Sequence, residues 1–144
     1  MKRMILTKLT LSGVGKKDAV LTFERGLNVI TGDSDTGKTF AFQCINYILG
    51  GENPPKNITE AKDYNAIALE FTINDELYRI ERTIGSSKVC IVHNGERLIM
   101  PYKHDPSNTK NLSRYLLQLL QGHSENAYLK KNKQNQKRTL SFRD

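Results

Sequence analysis

One octapeptide restricts the possible folds of this chain more than any other feature: Gly32-Asp33-Ser34-Asp35-Thr36-Gly37-Lys38-Thr39, which fits G-x-x-x-x-G-K-[ST]. Its flanks give it a structural setting. Leu27-Asn28-Val29-Ile30-Thr31 precedes it, a β-branched apolar stretch that reads as a short buried strand. After it, Ala41, Cys44, Ile45, Ile48 and Leu49 recur at helical spacing, and Gly50-Gly51 supply a stop. Strand, glycine loop and helix in that order predict an α/β P-loop core, with a mixed sheet around the loop's helix.

The residue types suit polyphosphate. A loop wrapped over a helix N-terminus offers many backbone N–H groups and the positive end of the helix dipole. Gly32 and Gly37 allow close backbone approach, with the amides of Asp33, Ser34, Asp35 and Thr36 completing the ring. Lys38 supplies a point charge for the β- and γ-phosphates and is the candidate catalytic residue. Thr39 can place its hydroxyl on Mg²⁺, which prefers hard oxygen ligands. The bland alternative is a chance glycine-rich turn. The Asp35 carboxylate would be repelled by phosphate, so it reads as solvent-facing.

The chain has 144 residues, enough for one domain with a modest core. Its 22 Lys+Arg against 15 Asp+Glu give a formal charge of +7. The excess is concentrated late: Lys130, Lys131, Lys133, Lys137, Arg138 and Arg143 face only Asp144. Such a run reads first as a solvated segment and second as a nucleic-acid contact; only Tyr128 and Phe142 interleave it, too few for a base-stacking platform. Cys44 and Cys90 both lie in apolar settings and read as small core residues of a reduced protein, and no Cys/His cluster suggests zinc. His93, His104 and His123 are scattered near turns. No apolar run reaches the roughly 18 residues of a membrane span, and no secretory leader is evident, so a soluble cytoplasmic protein is expected.

Three segments are expected within a single lobe: a P-loop core (1–51), an antiparallel β-subdomain (60–102), and a helix with a basic tail (106–144). Strands are predicted at Met4–Ser12 and at 19–23. Further strands at Ala66–Ile73, 76–84, Lys88–His93 and 96–100 form a meander, with turns at Asn74-Asp75, Gly85-Ser86-Ser87 and Asn94-Gly95. A helix starts at 106–109, with Leu112, Tyr115, Leu116, Leu119 and Leu120 as its apolar stripe and Gly122 as its end. A strand is possible at 139–142. An acidic strand end to hold the Mg²⁺ shell and polarise water is missing. The nearest match, Ile73-Asn74-Asp75-Glu76, fits a hairpin turn better.

The stretch Phe23-Glu24-Arg25-Gly26-Leu27-Asn28-Val29-Ile30-Thr31-Gly32, the first strand and the meander together resemble the N-terminal lobe of SMC-like, RecF/RecN-type ABC ATPases. The resemblance covers residues 4–100 well and the rest loosely. It implies that Gly32–Thr39 bind ATP and Thr39 the Mg²⁺, with Lys16 or Lys17 presented to the nucleotide. It also implies that the Q-loop glutamine, signature sequence, Asp-Glu strand and switch histidine lie elsewhere in a longer protein. The chain would then be half of an ATPase head, completed by the remainder of that head. ATP would glue two heads into a dimer and hydrolysis release them, in DNA repair, chromosome maintenance or phage defence, with DNA as a possible partner. Two other readings stay open: a small P-loop kinase, and a basic nucleic-acid-binding module with a vestigial loop. The half-head reading predicts nucleotide binding with negligible turnover.

Overall fold

The computed structural model describes residues 3–24, 37–56, 61–103, 105–108, 110–121, 128–130 and 137–139. The strand expected at 27–31 and the motif residues Gly32, Asp33, Ser34, Asp35 and Thr36 lie outside them. Chain order is β1 (Met4–Ser12), β2 (Ala19–Thr22), α1 (Gly37–Ile48), β3 (Ala66–Ile73), β4 (Glu76–Thr83), β5 (Lys88–His93), β6 (Glu96–Pro101), α2 (Leu112–Gln121), β7 (Tyr128–Lys130) and β8 (Lys137–Thr139).

The first six strands form one sheet in the order β2-β1-β3-β4-β5-β6, and every described pairing is antiparallel. β1 therefore joins the meander directly, with Leu9 opposite Leu69 and Leu11 opposite Ile67. The meander's tight turns follow from their residues. Asn74 and Asp75 have φ of 51° and 64°, and Asn94 and Gly95 of 52° and 79°, so both loops have the two left-handed residues of a type I′ turn. That turn matches the right-handed twist of the strands it joins, and Asn, Asp and Gly tolerate it best.

Strand alternation sets the core. Leu21, Leu9, Leu69, Ile80 and Ile91 stand opposite one another across five neighbouring strands. Leu9, Leu69, Ile80 and Ile91 are fully buried, each stabilising the fold by about 1.5–3 kcal/mol. One continuous core joins them to Phe40, Ala41, Cys44, Tyr47 and Ile48 of α1 and to Leu112 and Leu116 of α2. The other register of the sheet carries charge. Arg79 pairs with Glu70 at 3.5 Å and Glu81 at 3.1 Å, and Arg97 pairs with Glu81 at 2.6 Å. Partial burial disfavours the Glu81 carboxylate, but the hydrogen bonds from Arg79 and Arg97 outweigh it and hold its pKa below the usual value.

One boundary differs from expectation, and one strand pairing is new. The second helix begins at Leu112 rather than at 106–109, because local side chains satisfy that backbone otherwise. Asp105 accepts from the Ser107 N–H and hydroxyl, and Asn108 accepts from the Lys110 N–H. The N-cap is Asn111, whose Oδ1 accepts from the Arg114 N–H at 2.8 Å. In the basic segment β8 pairs with a partner the sequence did not suggest, β7, in the register Tyr128 opposite Thr139 and Lys130 opposite Lys137, while 140–142 of the strand expected at 139–142 lie outside the described residues.

Candidate functional site

α1 opens at Gly37, the second glycine of the octapeptide, so Gly37, Lys38 and Thr39 occupy its first turn. The free N–H groups of that turn point along the axis away from the helix. No acidic residue of α1 lies in its first turn, so the positive end of the dipole is not neutralised from within the helix. Thr39 is exposed, with its hydroxyl available at the helix mouth, while Phe40 and Ala41, immediately after it, are buried in the core. Thr39 is thus presented outward while the helix is tethered by the residues that follow it. Gly32, Asp33, Ser34, Asp35 and Thr36, which would complete the ring of amides, lie outside the described residues.

The opposite end of α1 is fixed in detail. Gly50 N–H donates to Tyr47 O at 3.1 Å and Gly51 N–H to Asn46 O at 2.9 Å, the paired 5→2 and 6→1 bonds of a Schellman motif. Gly50 sits at φ 113°, a conformation glycine adopts without strain. A Cβ on Gly51 would come within 2.7 Å of Asn46 O.

Beneath this end lies Arg82 of β4, only 3% exposed. Its Nη1 donates to Tyr47 O at 2.9 Å and Gly51 O at 3.0 Å, and its Nε donates to Ser86 O at 3.0 Å. The guanidinium is sandwiched between two rings, 3.6 Å from the Tyr47 centroid and 4.0 Å from that of Tyr102. Tyr47 also accepts, through its hydroxyl, the Gly85 N–H at 2.8 Å. Burial pulls the Arg82 pKa below the ordinary arginine value, against the two tyrosines, and the group stays a cation. Sequence reasoning missed Arg82, although its register carried a signal: it shares the face of Tyr78 and Ile80, both buried.

The remaining sequence candidates are dispersed. Lys16 and Lys17 are exposed on the β1–β2 loop. That loop is braced by the Tyr64 hydroxyl, which donates to Lys17 O at 2.8 Å, and by Gly13, where a Cβ would collide with Asp63 O. Asn74 and Asp75 form an exposed hairpin turn, as their sequence suggests, and do not end an acidic buried strand. Among the described residues no group of three His, Cys, Asp or Glu side chains could hold a metal. None of the described helices is long and apolar enough to cross a membrane. His93 stacks on Tyr78 at 3.9 Å and donates from Nδ1 to Leu77 O; His104 and His123 lie outside the described residues.

A helix opened by Gly-Lys-Thr is thus packed against this sheet. The chain belongs to the family whose model is described as "AAA domain", which matches residues 8–143. Up to half of the chain is also similar to proteins named for DNA repair. It is 35% identical over 74 residues to "DNA repair protein RecN" of Rickettsia typhi (strain ATCC VR-144 / Wilmington), a match covering 50% of this chain and 13% of that protein. It is 33% identical over 74 residues to the protein of the same name in Rickettsia felis (strain ATCC VR-1525 / URRWXCal2), covering 50% and 14%. A third, from Rickettsia conorii (strain ATCC VR-613 / Malish 7), is 33% identical over 57 residues, covering 40% and 10%. The chain thus spans little more than a tenth of the length of these relatives.

Proposed function

We propose that this chain is the ATP-binding N-terminal lobe of a cytoplasmic SMC-like ATPase acting in DNA repair. The observation that carries the reading is the start of α1: the helix begins inside the octapeptide, in a chain whose family match runs almost end to end. Gly32 to Gly37 supply the amide cradle, Lys38 neutralises the β- and γ-phosphates, and Thr39 holds Mg²⁺. The exposed Thr39 hydroxyl is a hard oxygen donor, which suits Mg²⁺. When bound, that ion draws charge from the phosphate oxygens; the chain's own residues bind and orient them.

On the half-head reading this lobe holds nucleotide without turning it over, because the acid that activates water belongs to the other part of the head. The remainder of the head and a second head supply that chemistry in an ATP-bridged dimer. The charge of the late basic run, from Lys130 to Arg143, suits DNA phosphates as a further partner of the longer protein.

Binding of labelled ATP by wild type and Lys38→Ala, alongside a steady-state phosphate-release assay, tests the reading. Wild type should bind and release negligible phosphate, and Lys38→Ala should weaken binding about tenfold or more. Equal affinity in both proteins contradicts the cradle, and robust turnover by the chain alone favours a self-sufficient small kinase.

A further inference from the structure

We propose that Arg82 is the positioning residue of the phosphate-binding helix, acting from the end remote from the phosphates. This rests on the ATP-binding reading above and adds a residue to its machinery.

α1 carries no basic residue in its own last turn, so its negative end is not balanced from within. β4 provides the missing cation. Arg82 Nη1 donates to both the Tyr47 and Gly51 carbonyls, at the last turn of α1 and just beyond it, while its Nε donates to Ser86 O in the β4–β5 turn. Among the described residues its charge meets no carboxylate; carbonyl dipoles and two aromatic faces balance it. That balance exists only while the helix end stays where it is.

An aliphatic side chain at this register would fill the space without fixing the helix along its axis. Apolar contacts are non-directional, whereas the two N–H groups of a charged, planar Nη1 specify where two carbonyls must sit. α1 has 12 residues and is about 18 Å long. It behaves as a rod, so a shift at Tyr47 reaches Gly37, Lys38 and Thr39. Phosphate cradles tolerate only sub-ångström displacement before affinity falls. The Tyr47 hydroxyl bond from Gly85 holds the same end and the Tyr102 ring covers the guanidinium, leaving Arg82 at the centre of the joint.

The test compares wild type, Arg82→Met, Arg82→Lys and Arg79→Met in the full chain. Arg79 lies on the opposite face of β4 and controls for lost surface charge. Thermal melts define a temperature at which each variant is fully folded, and the Kd for Mg·ATP is measured there. A purely structural role lowers Tm and leaves the Kd of the folded protein unchanged. The expected result is a Kd about tenfold weaker for Arg82→Met, partial recovery in Arg82→Lys, and no change in Arg79→Met. Folded Arg82→Met with wild-type affinity overturns the inference and leaves the ATP-binding reading standing. So does failure of both Arg82 variants to fold, which makes the residue scaffold alone. If wild type itself binds no ATP, the ATP-binding reading falls first and this inference with it.

Discussion

Cys44 and Arg82 are both enclosed by the core, and burial acts on them differently. The Cys44 thiol has no accessible surface, and desolvation pushes its pKa up to about 12, so at neutral pH it is a small hydrophobe. Cys90, on the other face of the sheet, is partly exposed. Ellman's reagent should therefore label Cys90 in the native protein and reach Cys44 only on unfolding; equal rates for both thiols would contradict the burial of Cys44. Helical spacing alone placed Cys44 in the core, because its neighbours in the periodic pattern are apolar. The same reasoning omitted Tyr47, whose ring packs under Arg82 while its hydroxyl reaches Gly85. It also omitted Arg82, since hydropathy places a cation outside. Strand alternation placed it inside, and only the partners gathered around it make that tolerable.

The hairpins were the most legible elements. Asn74-Asp75 and Asn94-Gly95 demand left-handed backbone, few other residue pairs accept it cheaply, and the flanking strands then follow with their register. Helix starts were less legible. Pro106-Ser107-Asn108 has the composition of a helix N-terminus, yet its side chains bond locally and delay the helix to Leu112. The short β7–β8 ladder was harder still, because three-residue strands in a polar segment carry almost no periodicity. At the end of α1 the sequence was explicit: Gly50-Gly51 announce the stop, and the Schellman bonds complete it. Gly50→Ala forces a side chain into φ 113° and should destabilise the fold by about 1–3 kcal/mol, read as a lower urea midpoint at unchanged slope. An unchanged midpoint would show that this cap contributes nothing.

For the whole molecule, the resemblance drawn from Phe23 to Gly32 and the meander agrees with the AAA domain match over residues 8–143 and with the RecN relatives. What the sequence left open was the relation between its segments. Nothing local indicates that β1 pairs with β3, because that contact joins residues more than fifty positions apart. Through that pairing a single sheet supports the helix that opens at Gly37. The account depends on that helix mouth gripping a polyphosphate. The most direct measurement is a titration of ¹⁵N-labelled protein with magnesium and a non-hydrolysable ATP analogue, followed residue by residue through backbone amide shifts. Saturable shifts should concentrate at Gly32–Thr39 and vanish in Lys38→Ala. Shifts centred on the basic 128–139 segment, or none at saturating analogue, would contradict it.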